Sequence, residues 1–249
     1  MIIGARRSLG SDPPWPASPR ESIVPMPTFN YGASEIAHLQ DRDPRLGAVI
    51  DRIGWIEREV TPDLFTALIH SLAAQQISNA AAATIQRRLG ALLGELTPQR
   101  VAQTPRAELQ ACGLSLRKAA WIQHLGQHVV SGALDLSALP ALPDAKVIRR
   151  LSAMPGVGVW TAEMLLIFAL ARPDVVSWGD RAIRRGMERL YGLQTLNRAQ
   201  FAQYRERYRP HGTVASFYLW ALAGLPAETA GPAYPAPGSV LAGPRSTPP

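Results

Sequence analysis

Asp180 is the residue whose type and setting point first to chemistry. It follows the short link Val175-Val176-Ser177-Trp178-Gly179, opens the basic segment 181–190, and stands twenty residues beyond Trp160. A fixed carboxylate can stabilise positive charge that develops in a substrate, or hold the water that attacks it. An aspartate at the start of a helix also caps that helix, and the residues alone leave both roles open. A second device lies upstream, where Gly156-Val157-Gly158 follows Met154-Pro155. Glycines let a tight turn adopt positive φ and let another backbone approach closely. A helix that starts directly behind such a turn leaves its first N–H groups unpaired, where they can hold a phosphate. The same spacing also suits an ordinary helix–turn–helix corner closed by a glycine.

These residues need helices to position them. Val147, Ile148 and Leu151 recur at helical spacing ahead of the glycines, and residues 159–170 form an apolar run without glycine or proline. The pattern predicts helix, Gly-X-Gly turn, helix over 147–170, then a link over 174–180 that delivers Asp180. Arg181, Arg184 and Arg185 share one helix surface by their i, i+3 and i+4 spacing. That surface extends a basic footprint or simply solvates the helix.

Composition sets the wider frame. The chain has 249 residues, a net charge of +7 and 47% hydrophobic residues, enough for a core and suited to a polyanionic partner. Cys112 is the one cysteine, so no intramolecular disulfide forms and no cluster is held by cysteines alone. No apolar run is long enough to span a bilayer. Arg6-Arg7 is followed by proline-rich polar sequence instead of the apolar segment of an export signal. A soluble, cytoplasmic protein is expected, with no metal, no cofactor and no membrane partner.

Along the chain, residues 1–30 are rich in Pro, Ser and Arg and read as flexible. Two short helices broken at Pro44 follow. Thr61-Pro62-Asp63 reads as a helix start with Thr61 as the capping hydroxyl, and Thr97-Pro98 and Thr104-Pro105 read likewise. The first of these helices runs into Gln75-Gln76-Ile77-Ser78. Arg117-Lys118 reads as a solvated charged turn at the head of a helix through Ile122, Leu125 and Val129, with a pair facing phosphate as the other reading. Further helices are expected over 201–208 and 214–222, and 226–249 reads as disordered. The expectation is an all-α protein of eight to ten helices, with a helical domain over 31–225.

Taken together, the Pro-Gly-Val-Gly hairpin, Trp178-Gly179-Asp180 and the Phe65…Ile69…Gln75-Gln76-Ile77-Ser78 pattern resemble the helix-hairpin-helix (Gly/Pro-Asp) DNA glycosylase superfamily, and most of all its 3-methyladenine DNA glycosylase II type. The resemblance covers about residues 60–222. It implies two helical subdomains with the active-site cleft between them, in a compact version without the β-rich amino-terminal domain of larger relatives. It implies Asp180 as the catalytic carboxylate, facing a cavity lined by indole rings. Trp160, Met164, Trp178, Tyr218 and Trp220 become candidates for the base pocket, Trp220 matching a pocket tryptophan and Met164 standing where close relatives place a tyrosine. DNA contacts fall to Pro155, Gly156, Val157, Gly158 and Thr161 of the hairpin and to Arg181, Arg184 and Arg185. Gln76 matches the side chain that fills the gap left by an extruded nucleotide; the residues themselves fit equally a pair of glutamines bonded to backbone at a helix junction.

Relatives that also cut the strand carry a lysine where Trp160 stands, and an indole cannot form their Schiff base. The implied activity is release of alkylated bases (3-methyladenine and 7-methylguanine type) from double-stranded DNA by a monomer that leaves the strand intact. Two other readings stay open: a glycosylase of mismatched bases, and a non-catalytic protein that uses the hairpin only to bind DNA.

Overall fold

The computed structural model describes residues 27–226. The expected flexibility of residues 1–26 and disorder of 227–249 lie outside the described residues. The chain opens with α1 (Ala33–Arg42) and α2 (Pro44–Ile53). Pro44 bars the residue before it from the helical region, so Asp43 is extended (φ −142°, ψ 94°) and ends one helix while starting the next. Its carboxylate accepts from the N–H groups of Arg45 and Leu46, as an N-cap does.

Seven helices then build a second group: α3 (Leu64–Ala74), α4 (Asn79–Leu93), α5 (Pro98–Gln103), α6 (Arg106–Ala111), α7 (Leu116–Val130), α8 (Asp144–Ser152) and α9 (Val159–Phe168). A 3₁₀ turn, Leu139–Ala141, precedes α8. The chain returns to the first group with α10 (Arg181–Tyr191), α11 (Arg198–Tyr208) and α12 (Gly212–Gly224). Helices α1, α2, α10, α11 and α12 pack on one another, and α3 to α9 pack among themselves. The all-α expectation and the two-part arrangement agree with this. Among the described residues the backbone outside the helices makes one isolated antiparallel bridge, Thr28 with Glu59.

Among the described residues twelve α-helices stand where eight to ten were expected. The six-residue α5 and α6 follow the two helix starts read at Thr97-Pro98 and Thr104-Pro105. Two caps differ from the sequence reading. Asp63, not Thr61, caps α3 by accepting from Thr66 N–H. Pro105 is the residue ahead of α6, while the Thr104 hydroxyl turns back to Arg100 O. Phe29, ahead of α1, is 6% exposed and meets Phe217 edge to face at 5.3 Å.

The first group is drawn tight at the crossing of α10 and α12. A Cβ on Gly186 would lie 2.3 Å from Leu219 O, so only glycine admits that approach. Asp43 ties α2 to the same group, accepting from Tyr191 Oη at 2.6 Å and from Arg207 at 3.2 Å. Among the described residues no helix is long and apolar enough to cross a membrane, and no group of three or more His, Cys, Asp or Glu is placed to hold a metal ion.

Candidate active site

The hairpin between α8 and α9 is built around Gly156, whose φ of +85° suits glycine. Space demands glycine there as well, since a Cβ would stand 2.4 Å from Trp121 Cε3. Gly158 is different. Its backbone is extended (φ −85°, ψ 171°) and a Cβ on it would meet nothing within 4 Å. Helix α9 starts behind it with no side-chain cap, so its leading N–H groups have no partner inside the helix. Pro155 and Gly158 are exposed and Gly156 half-buried, but Val157 and Thr161 are buried. Those two side chains pack inward, and only their backbone can face a ligand.

The turn between α3 and α4 lies against this hairpin. Gln75 Nε2 donates to Gly156 O at 2.8 Å, which is the junction role weighed for the pair. Gln76 is different: it is exposed and adopts a left-handed φ of +59°. Lys118, expected in a solvated turn, donates instead to Ala73 O and Gln75 O at 2.8 and 2.5 Å. Arg117 lies over the Trp121 ring at 5.0 Å.

Asp180 caps α10. Its Oδ1 accepts from Ala182 N–H at 2.8 Å and Ile183 N–H at 2.9 Å. Its Oδ2 accepts from the Trp160 indole N–H at 2.9 Å. This bond joins α9 of one helical group to the start of α10 in the other. The link leading to Asp180 is fastened along its length: Val175 N–H donates to Thr213 Oγ1 at 3.0 Å, and Ser216 Oγ donates to Val175 O at 2.9 Å. Ser177 Oγ donates to Glu163 Oε2 at 2.5 Å. Burial pushes the Glu163 carboxyl above the usual range, and the neighbouring Asp180 charge adds to the rise. Glu163 was missed from the sequence, although a lone carboxylate inside the apolar run 159–170 is itself a signal.

The pocket candidates divide. Asp180 is 3% exposed beneath the half-buried Trp160 ring, so the carboxylate faces an indole but not an open cavity. Met164 lies one helical turn beyond Trp160 on α9 and is fully buried. Phe168, another turn on, stacks at 5.8 Å with Trp220, which is 4% exposed. Trp160, Met164 and Phe168 thus form one stripe of α9 that leads to Trp220, half-buried at Trp160 and buried beyond it. The Trp220 indole N–H has no acceptor among the described residues. Two candidates leave the group. Tyr218, two positions and about 200° of helix from Trp220, turns toward α2 and donates to Gly54 O at 3.1 Å. Trp178 packs edge-on against Phe201, with the guanidiniums of Arg184 and Arg198 over its ring at 5.2 and 5.0 Å. Arg184 is thereby engaged with the protein, whereas Arg181 and Arg185 are exposed.

The model of the HhH-GPD superfamily, base excision DNA repair proteins, matches residues 69–210. The chain is 31% identical to DNA-3-methyladenine glycosylase 1 of Schizosaccharomyces pombe, over 65% of this chain and 73% of that one. It is 28% identical to DNA-3-methyladenine glycosylase 2 of Escherichia coli, over 65% of this chain but 58% of that one. Among solved structures, a DNA-3-methyladenine glycosidase from Bacillus halodurans superposes with a TM-score of 0.73 and 35% identity, over 82% of this chain and 95% of that one. The Schizosaccharomyces pombe 3-methyladenine DNA glycosylase in complex with abasic DNA superposes with a TM-score of 0.68 and 28% identity, over 78% and 98%.

Proposed function

The chain belongs to the HhH-GPD superfamily of base excision DNA repair proteins, and from that premise we propose that it is a monofunctional DNA glycosylase. Its substrates are alkylated bases of the 3-methyladenine and 7-methylguanine type, extruded from duplex DNA. The observation that carries this reading is the divided carboxylate of Asp180. One oxygen is committed to the start of α10, and the other has an indole N–H as its partner. Capping accounts for the first oxygen only.

In the reaction the bond from C1′ to the base nitrogen breaks, and its electron pair leaves with the base. Positive charge grows on the sugar, and Asp180 offsets it or directs the water that adds to C1′. An alkylated base is already cationic and departs without a second acid, so one carboxylate suffices; neutral leaving groups call for two. The Trp160 ring covers Asp180, so it has to turn aside as the nucleotide enters. A cationic base then meets an aromatic face, which favours it over a neutral one by about 0.5–2 kcal/mol. Trp160 carries no amine to form a Schiff base, and Lys118 is held by two carbonyls, so the sugar–phosphate strand stays intact.

Gly158 supports the DNA-facing side of this reading. Neither its φ nor its surroundings in the protein require glycine. A phosphate lying against the uncapped start of α9 requires open space there. Exposed Arg181 and Arg185 extend the basic surface beyond α9.

The test is incubation of the protein with methylated, mismatched and unmodified duplexes, measuring free base and strand breaks. Release from the methylated duplex without breakage is expected. Release from the mismatched duplex alone would transfer the assignment to a glycosylase of mismatched bases. Binding without release from any duplex would leave a DNA-binding protein and overturn the enzyme.

A further inference from the structure

We propose that Lys118 and Gln75 are positioning residues for Gln76, holding the turn between α3 and α4 against the hairpin so that the gap-filling side chain and the phosphate clasp act as one rigid piece. The inference rests on the glycosylase reading and on Gln76 being the side chain that fills the vacated space.

The turn needs outside support. Helix α3 ends with carbonyls that have no partner within the helix, and Gln76 holds φ at +59°, a region disfavoured for a residue with a side chain. Such backbone persists where its surroundings over-determine it. Two do so here. The Lys118 ammonium bridges Ala73 O and Gln75 O, a cation placed at a helix C-terminus where the helix dipole favours it. The Gln75 amide donates to Gly156 O at 2.8 Å. Ser78 secures the far side by capping α4. Residues on both sides of Gln76 are therefore gripped, and its own side chain is left exposed.

Lys118 is not an ordinary surface lysine. Burial, with help from the adjacent Arg117 charge, holds its pKa below the usual value, in keeping with an ammonium committed to internal carbonyls. Because Gln75 is tied to the carbonyl of the same glycine that shapes the hairpin, movement of the clasp carries the plug with it. Seating the hairpin on a phosphate thus sets the depth to which Gln76 reaches.

The experiment compares single-turnover base release from two duplexes. One carries a single 7-methylguanine paired with cytosine; the other has the same lesion opposite an abasic site, where little stacking has to be broken. Lys118→Met is expected to slow release from the paired duplex tenfold or more and from the opened duplex less than twofold. Gln75→Leu should act in the same direction, and Lys118→Arg should stay within threefold of wild type. Thermal melting accompanies each variant; if Lys118→Met is unstable, Gln75→Leu carries the comparison. Equal slowing on both duplexes, or none on either, overturns the proposal. A weakened salt dependence of binding with equal slowing would make Lys118 a phosphate contact, which also overturns it. If wild type itself releases no base from either duplex, the glycosylase reading has failed and this inference with it.

Discussion

Replacing Asp180 separates the two roles its oxygens divide between them. Asparagine caps a helix about as well as aspartate, so Asp180→Asn keeps an acceptor for the Ala182 and Ile183 N–H groups. It forfeits the charge–dipole contribution and turns an amide NH₂ toward the Trp160 N–H, together about 1–2 kcal/mol. Asp180→Ala strips the cap and leaves three donors, one buried and two part-buried, without this acceptor, costing about 3–4 kcal/mol. For a domain of this size each kcal/mol lowers Tm by about 2–4 °C. Asparagine should therefore lower Tm by roughly 2–8 °C and alanine by roughly 6–16 °C. If Asp180 stabilises developing positive charge, base release falls about 10²- to 10³-fold in both variants. The assay is single-turnover release from methylated duplex well below both melting transitions, beside thermal melts of the same samples. Activity of Asp180→Asn within threefold of wild type would refute the reasoning and leave Asp180 as a cap.

The remaining predictions concern the surface and the carboxylate beneath it. Arg181→Ala and Arg185→Ala should each weaken duplex binding regardless of sequence and reduce the slope of log affinity against log salt by about one; an unchanged slope would remove them from the DNA footprint. Gly158→Ala should leave Tm nearly unchanged, because a Cβ there meets nothing within 4 Å, yet weaken DNA binding. Loss of folding, or full retention of binding, would contradict the open approach. Glu163 has a raised folded-state pKa, so its contribution to stability is full below the ordinary glutamate pKa and declines as pH rises through the raised value. Glu163→Gln removes that decline, so denaturant melts should show the variant gaining on wild type as pH increases. A gap independent of pH would mean that Glu163 does not titrate in this window.

Helices, caps and the hairpin were legible because their causes are local. Apolar spacing, a proline after Asp43 and Gly156 ahead of an apolar run all act within about one helical turn. Thr97 does cap α5. The cap ahead of α3 was misplaced by two residues, since Thr61 and Asp63 are equally suited to it by type. Asp180 was found by its distance behind the hairpin, with the family resemblance giving that distance its meaning.

What the chain order could not decide was which long-range partner each side chain takes. An indole serves equally well in a pocket or a core. Only the packing sends Trp160 to Asp180, Trp178 to two arginines on α10 and α11, and Trp220 against Phe168. Lys118 reads as a solvated charge until α3 ends beside it and offers two carbonyls. Glu163 and Ser177 are fourteen residues apart and meet only because the Asp180 link folds back across α9. By itself the sequence determined the helices, the glycine turn and the one carboxylate worth testing. The tertiary structure alone decided what covers that carboxylate and what holds the turn beside it, because those contacts join residues that no local pattern relates.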